Sequence, residues 1–207
     1  MPRPRVNGAR GRGILGAMEP RDILDFWFGT PGTAECEGPR LIWFRSSKEF
    51  DAACQERFAA AAARARDGAL DHWAETADSA LALVLLLDQM PRNIHRGTAL
   101  AFASDEKARA AARHAIAQGF DRTLRSHRRQ FFYLPFEHSE DLADQEQGLR
   151  LFAGLPEGEF RERALGHAER HRVVIARFGR FPHRNRALGR VSTPEEEEFL
   201  ASPAAPF

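Results

Sequence analysis

Residues 80–97 read ALALVLLLDQMPRNIHRG. Eight apolar residues run unbroken from Ala80 to Leu87, and a polar, proline-containing stretch follows at once. Eight residues are far short of the ~20 needed to cross a bilayer, so no transmembrane segment is expected. Alanine is abundant along the chain and strict apolar–polar alternation is rare, so strand signals are nearly absent. The run therefore predicts one buried helix, ended by Pro91.

Outward from it the chain reads as helix after helix. EPRDILDFWFG (19–29) places Pro20 near the first helical position, Ile23, Leu24, Phe26 and Trp27 behind it, and Gly29 at the exit. Residues 29–42 look like a loop. Ser46 and Glu49 fit a capping box, and Phe50, Cys54, Phe58 and Ala61–Ala62 mark one face of a second helix that Gly68 closes. On the other side Ser104 caps a fourth helix, with acids in its first turn and Gly119 past its end. A fifth is expected from about Arg122 to Leu134, stopped by Pro135. Ser139 opens a sixth, with Glu140 and Asp141 in its first turn and Leu142, Leu149 and Phe152 facing inward. A seventh spans roughly 157–178 and ends at Gly179. Thr193, Pro194 and Glu196 supply the cap, first-position proline and capping-box acid of an eighth. The expected fold is all-α, a compact array of about eight helices whose short connections favour antiparallel pairs.

The bulk numbers bound the rest. The 207 residues suffice for one domain with a real core, and 43% hydrophobic with 29% charged residues is a soluble balance. A net charge of +1 sets up no global field, so no nucleic-acid partner is expected. Cys36 and Cys54 are the only cysteines and form no CxxC, which fits a reducing cytosol, the expected location. Residues 1–17 carry Arg3, Arg5, Arg10 and Arg12 among glycine and proline, with no apolar run long enough for a secretory signal. They read as a disordered basic leader or a start placed too early, with Met18 opening the ordered pattern and 18–207 forming a single helical domain.

If the helices alternate in direction, three polar corners fall at one end: DQMPRNIHRG (88–97), YLPFEHSED (133–141) and FGRFPHRNRALGR (178–190). Each carries a proline that fixes the corner, so the polar residues beside it project from a rigid frame. The third holds Arg180, Arg184, Arg186 and Arg190 with His183 and no carboxylate. Arg92, His138 and Arg184 are predicted to meet in one pocket-sized region.

DILDFWFG, LLLDQMPRNIHRG, FYLPFEHSED and RFGRFPHRN, followed by LGR, occur in that order and resemble an uncharacterised bacterial family, catalogued only as a domain of unknown function. The family is placed in the tetratricopeptide-like all-α superfamily, and the resemblance covers roughly residues 20–200. It implies a tetratricopeptide-like array of helix pairs and no particular activity. Met90 stands where the family pattern leads one to expect phenylalanine, a mild apolar exchange.

The candidate ligand-binding residues are Arg92, Asn93, His138, Glu140, His171, Arg180, His183, Arg184, Asn185 and Arg190. Arginine forks match phosphate or carboxylate oxygens in pairs, so the set suits a small anionic ligand or the acidic end of a peptide. The plainer alternative is a structural network in which Arg184 and Arg190 pair with Glu137, Glu140, Asp141 or Asp88. His138 and His183 are the candidates for acid–base chemistry if the chain is an enzyme acting on a phosphate- or carboxylate-bearing substrate. HAERH places His167 and His171 at i and i+4, a spacing that metals use, yet the glutamate is misplaced for HExxH. Lying about 10 Å below the helix end, His171 reaches the corners and His167, about 16 Å below, does not. Hydrogen-bonded structural histidines are the default, so no metal and no cofactor is expected. The aromatic groups FWF (26–28), WF (43–44) and FFY (131–133) read as core. No nucleophile elbow, Walker loop or dinucleotide fingerprint is present. A binding module is the leading expectation, with an enzyme and a purely structural scaffold as its rivals.

Overall fold

A computed structural model describes residues 18–45 and 47–202; the leader reading of 1–17 and the proposed cap Ser46 lie outside the described residues. The described chain is helical with no strand. The helices are α1 (Pro20–Phe28), α2 (Lys48–Arg66), α3 (Ala77–Val84), α4 (Met90–Ile94), α5 (Asp105–Ala117), α6 (Ser126–Arg129), α7 (Leu134–Glu137), α8 (Leu142–Ala153), α9 (Glu159–Phe178) and α10 (Pro194–Ala201). None is long and apolar enough to cross a membrane.

The apolar run forms the centre. Every residue from Ala80 to Leu87, and Met90, is buried, with α1 and α5 packed on α3 and α2 packed on α4. The aromatic residues Trp27, Phe28, Phe131, Phe132 and Tyr133 complete the main cluster, as the core reading of FWF and FFY expects. α8 lies along α9. A second, smaller cluster of Val174, Ile175 and Phe181, with Phe178 and Phe199 against it, seats α10 on the end of α9.

Pro91 does not end its helix. α3 widens into a π-helical turn, Leu85–Gln89, and continues as α4 with Pro91 near its start. Proline has no N–H to give to the carbonyl four residues back. That carbonyl, on Leu87, instead accepts from Ser104 Oγ at 2.6 Å. Ser104 thus stands at the N-cap position of α5 but makes no side-chain cap bond.

Four other expectations shift. The cap of α2 is Ser47, whose Oγ accepts from the Phe50 N–H at 3.3 Å. The fifth predicted helix is broken into short turns, and Pro135 lies inside α7 rather than after the helix. Asp141, not Ser139, caps α8, accepting from the Ala143 N–H at 2.8 Å, and Ser139 Oγ is turned inward to Asp144 Oδ2 at 2.8 Å. Leu142, expected inside, is exposed. The Gly119 and Gly179 exits have left-handed φ values of 73° and 67°, as a helix C-terminus favours. Thr193 and Glu196 form the full capping box of α10.

Candidate functional site

The three corners meet. Arg92, from α4, donates through Nη1 and Nη2 to the two carboxylate oxygens of Asp105 at 2.9 and 3.0 Å. Arg184, from the third corner, reaches the same carboxylate at 3.3 Å and donates to the His138 carbonyl at 3.0 Å. His138 Nδ1 lies 2.8 Å from Asp88 Oδ1, and Arg92 Nη1 lies 3.1 Å from that oxygen. Arg92, His138 and Arg184 therefore occupy one region, as expected for the three corners.

The rest of the third corner is held in the same way. Arg190 forks onto Glu140 at 2.6 and 3.0 Å, and Glu140 also accepts from the Phe181 N–H at 2.8 Å. Arg180 forks onto Glu196 of α10 at 2.6 and 2.8 Å. Asn185 donates to Glu196 at 3.1 Å and accepts from Arg190 at 2.9 Å. Asn93 donates to the Gln89 carbonyl at 3.0 Å and accepts from Arg96 at 3.3 Å, while Arg96 is forked onto Asp51. Sequence reasoning missed Asp105 and Glu196 as partners, because each reads locally as an acid of a helix first turn.

The electrostatics match this pairing. Burial works against ionising Asp88, but Arg92 and His138 outweigh it and hold the carboxyl below the usual range. Burial likewise opposes ionised Glu140, and Arg190 with the Phe181 N–H overcomes it. Burial, then repulsion from Arg92, lowers Arg184 to about 10 against the pull of Asp105. Burial and the neighbouring Arg184 push His183 down to about 3, so it is neutral at pH 7.

His171 reaches the second corner at Glu137, and His167, expected to fall short, reaches it too. His171 lies beneath Phe181, its ring centroid 5.6 Å from the phenyl and 6.4 Å from His138. Its Nδ1 is 3.2 Å from Glu137 Oε1, and His167 Nδ1 is 2.6 Å from the same oxygen. Among the described residues these three form the one group of histidine, cysteine and carboxylate side chains close enough for a shared ion, with donor atoms within 4.8 Å of one another. His171 is pushed down to about 4, chiefly by burial, and is a neutral imidazole at pH 7.

Glu137 and His167 also line a groove of about 690 Å³ between residues 39–45 and α9. Its apolar lining includes Leu41, Phe44, Leu134, Phe152 and Phe160. Leu41 and Phe44 are 71% and 59% exposed, so the core reading of WF holds for buried Trp43 and not for Phe44. Arg45, Arg163 and Arg170 stand around it. Arg163 is loosely paired with Glu159 at 3.4 Å, while Arg45 and Arg170 make no ion pair among the described residues. The volume falls in the range of small-molecule sites. One trace of this groove is visible in the sequence, Leu41 in the loop expected over 29–42 with Phe44 just beyond it, and the core reading of WF absorbed Phe44.

The comparisons with known proteins agree with the fold. The profile of a family described as "Bacterial protein of unknown function (DUF924)" matches residues 23–204. The chain belongs to this family. A protein of unknown function from Agrobacterium tumefaciens, of solved structure, superposes with a TM-score of 0.77 at 44% identity, covering 88% of this chain and 96% of its own. No curated protein matches.

Proposed function

We propose that this chain is a helical binding module whose ligand is a small anion with an apolar body, seated in the groove beside α9. One observation carries the reading: exposed Leu41 and Phe44 line the same groove as Arg45 and Arg170, which make no ion pair among the described residues. Four arginines, Arg40, Arg45, Arg163 and Arg170, outnumber the two carboxylates of the lining, Glu137 and Glu162, and together with apolar surface left in water they complement an amphipathic anion. The anion-binding class is the one expected from the sequence, placed in the groove rather than at the corners. Arg92, Arg180, Arg184 and Arg190 each face a carboxylate, which supports a framework role for the corners. The tetratricopeptide-like placement implied by the resemblance fits a groove binder by analogy.

The test is calorimetric titration with decanoate, an alkyl chain ending in one carboxylate. Saturable binding is expected, weakened about 10- to 100-fold in Arg170→Ala by loss of a charge-assisted bond. Phe44→Ala should weaken it too, and His114→Ala on the outside of α5 should not. Absence of saturable binding, or equal affinity in all the variants, overturns the reading.

A further inference from the structure

Among the described residues six acidic side chains are buried: Asp88, Asp105, Asp121, Glu137, Asp144 and Glu196. Five of them face an arginine. Asp88 and Asp105 face Arg92, Asp121 faces Arg129, Asp144 faces Arg109 and Arg113, and Glu196 faces Arg180. Glu137 is the exception: it is 1% exposed, and its ion-pair partners are the two imidazoles of α9. A buried carboxylate is costly without a compensating charge. In a chain that neutralises every other such group with a guanidinium, two imidazoles stand where a permanent cation is due.

We propose that Glu137, His167 and His171 form a binding site for a divalent transition-metal ion of the zinc type. The two histidines are i and i+4 on α9 and so share one face, and Glu137 approaches that face from the end of α7. Their donor atoms lie within 4.8 Å of one another. A tetrahedral zinc about 2.0–2.1 Å from each donor holds its donors roughly 3.3 Å apart. The Glu137–His171 separation of 3.2 Å already fits, and the Glu137–His167 separation of 2.6 Å has to open by less than an ångström. Two imidazole nitrogens and one carboxylate suit zinc and its first-row neighbours; calcium and magnesium prefer all-oxygen shells.

The surroundings hold the donors in place. Gln145 Nε2 donates to the backbone carbonyls of Glu137 and Ser139 at 2.6 and 2.7 Å, fixing the chain that carries the carboxylate. His171 is packed against Phe181. Its Nδ1 lies 3.0 Å from the His167 carbonyl, so ligation through Nδ1 requires the tautomer with its proton on Nε2. Three protein donors leave at least one position open on a tetrahedral ion. Glu137 and His167 both line the groove, so the site borders it. The proposal rests on the three side chains alone and not on what the groove binds.

The experiment uses the full chain, stripped with a chelator and desalted, with no anionic ligand present. Cobalt(II) is followed by its visible bands and zinc by competition with a chromophoric chelator. One equivalent per chain is expected, with tetrahedral or five-coordinate cobalt bands. His167→Ala and Glu137→Gln should each lower zinc affinity by about two orders of magnitude. His167 has a 44% exposed side chain, so its removal leaves the fold in place, and a thermal melt of the metal-free variant checks this. His114→Ala is the control for surface histidines. A wild type that takes up no stoichiometric cobalt or zinc overturns the proposal, as does equal affinity in the wild type and both variants. Decanoate binding and metal binding are read separately, so either result can fail without the other.

Discussion

Asp105 sits in the first turn of α5 and holds arginines from two corners, Arg92 and Arg184. Removing its charge leaves buried Arg184 without an ion pair among the described residues, while Arg92 keeps Asp88. Asp105→Asn is therefore expected to cost about 3–5 kcal/mol in denaturant unfolding, since breaking a buried pair leaves the other charge uncompensated. Arg184→Ala should cost a similar amount, and added phosphate should not restore it. A mutant of near wild-type stability would show that Arg184 is held for a ligand rather than for the fold. The sequence marks Arg184 clearly but points it to Glu137, Glu140, Asp141 or Asp88; its partner lies 79 positions away and carries no local sign of the role. His183 gives a second expectation. Its pKa falls from 6.5 to about 3 on folding, so the unfolded chain binds more protons between those values. Its contribution is complete above pH 6.5 and is lost as the pH falls towards 3. His183→Gln should flatten the acid side of the stability profile by up to about 1.4 kcal/mol per pH unit, measured by urea unfolding at successive pH values.

The elements whose signals are local were legible. Thr193, Pro194 and Glu196 start α10 as read, and Gly119 and Gly179 end α5 and α9, because caps and left-handed exits are decided within a few residues. Elements decided by partners elsewhere were not. Pro91 reads as a stop, yet the wide turn before it and Ser104 behind it let the chain continue. Ser104 reads as a cap for the same reason, since nothing local shows that its hydroxyl is taken by Leu87. Ser104→Ala should leave that buried carbonyl unmet and cost about 1–3 kcal/mol. Ser104→Gly should be no better, whereas an ordinary N-cap serine replaced by glycine loses only a few tenths. A thermal melt of the two variants separates these roles. The FFYLP segment failed differently: its apolar density is that of a core helix, but its backbone is cut into short turns around the buried aromatic rings.

Across the molecule, polar corners do work that the apolar core does elsewhere. The cluster of Val174, Ile175 and Phe181 is separate from the main core, and α10 touches the body through Phe199, the exposed Glu195–Arg177 pair and the buried Glu196 carboxylate. The buried part of that attachment of α10 is the Arg180–Glu196–Asn185 set. In Arg180→Ala, hydrogen exchange should quicken in 194–201 while α2 and α3 keep wild-type protection. Uniform loss of protection would mean that the corner braces the whole array. The convergence of the corners was legible as charge clustered beside proline in three segments, although the fifth helix assumed in that reading is broken into short turns. The groove was not, because it arises where a loop faces a helix more than a hundred residues later, and neither segment shows it alone.

Trp43 stands behind that groove. Its indole N–H donates to the Trp27 carbonyl at 2.6 Å, and its ring centroid lies 6.3 Å from that of Phe44 on the groove wall. Indole emission responds to the strength of that hydrogen bond and to nearby rings and charges. The protein thus carries its own optical gauge of occupancy: of Trp27, Trp43 and Trp73, Trp43 has its ring against an aromatic residue of the groove wall. A shift in emission that persists in Trp73→Phe and disappears in Trp43→Phe would turn a fluorimeter into a screen for whatever fills the groove.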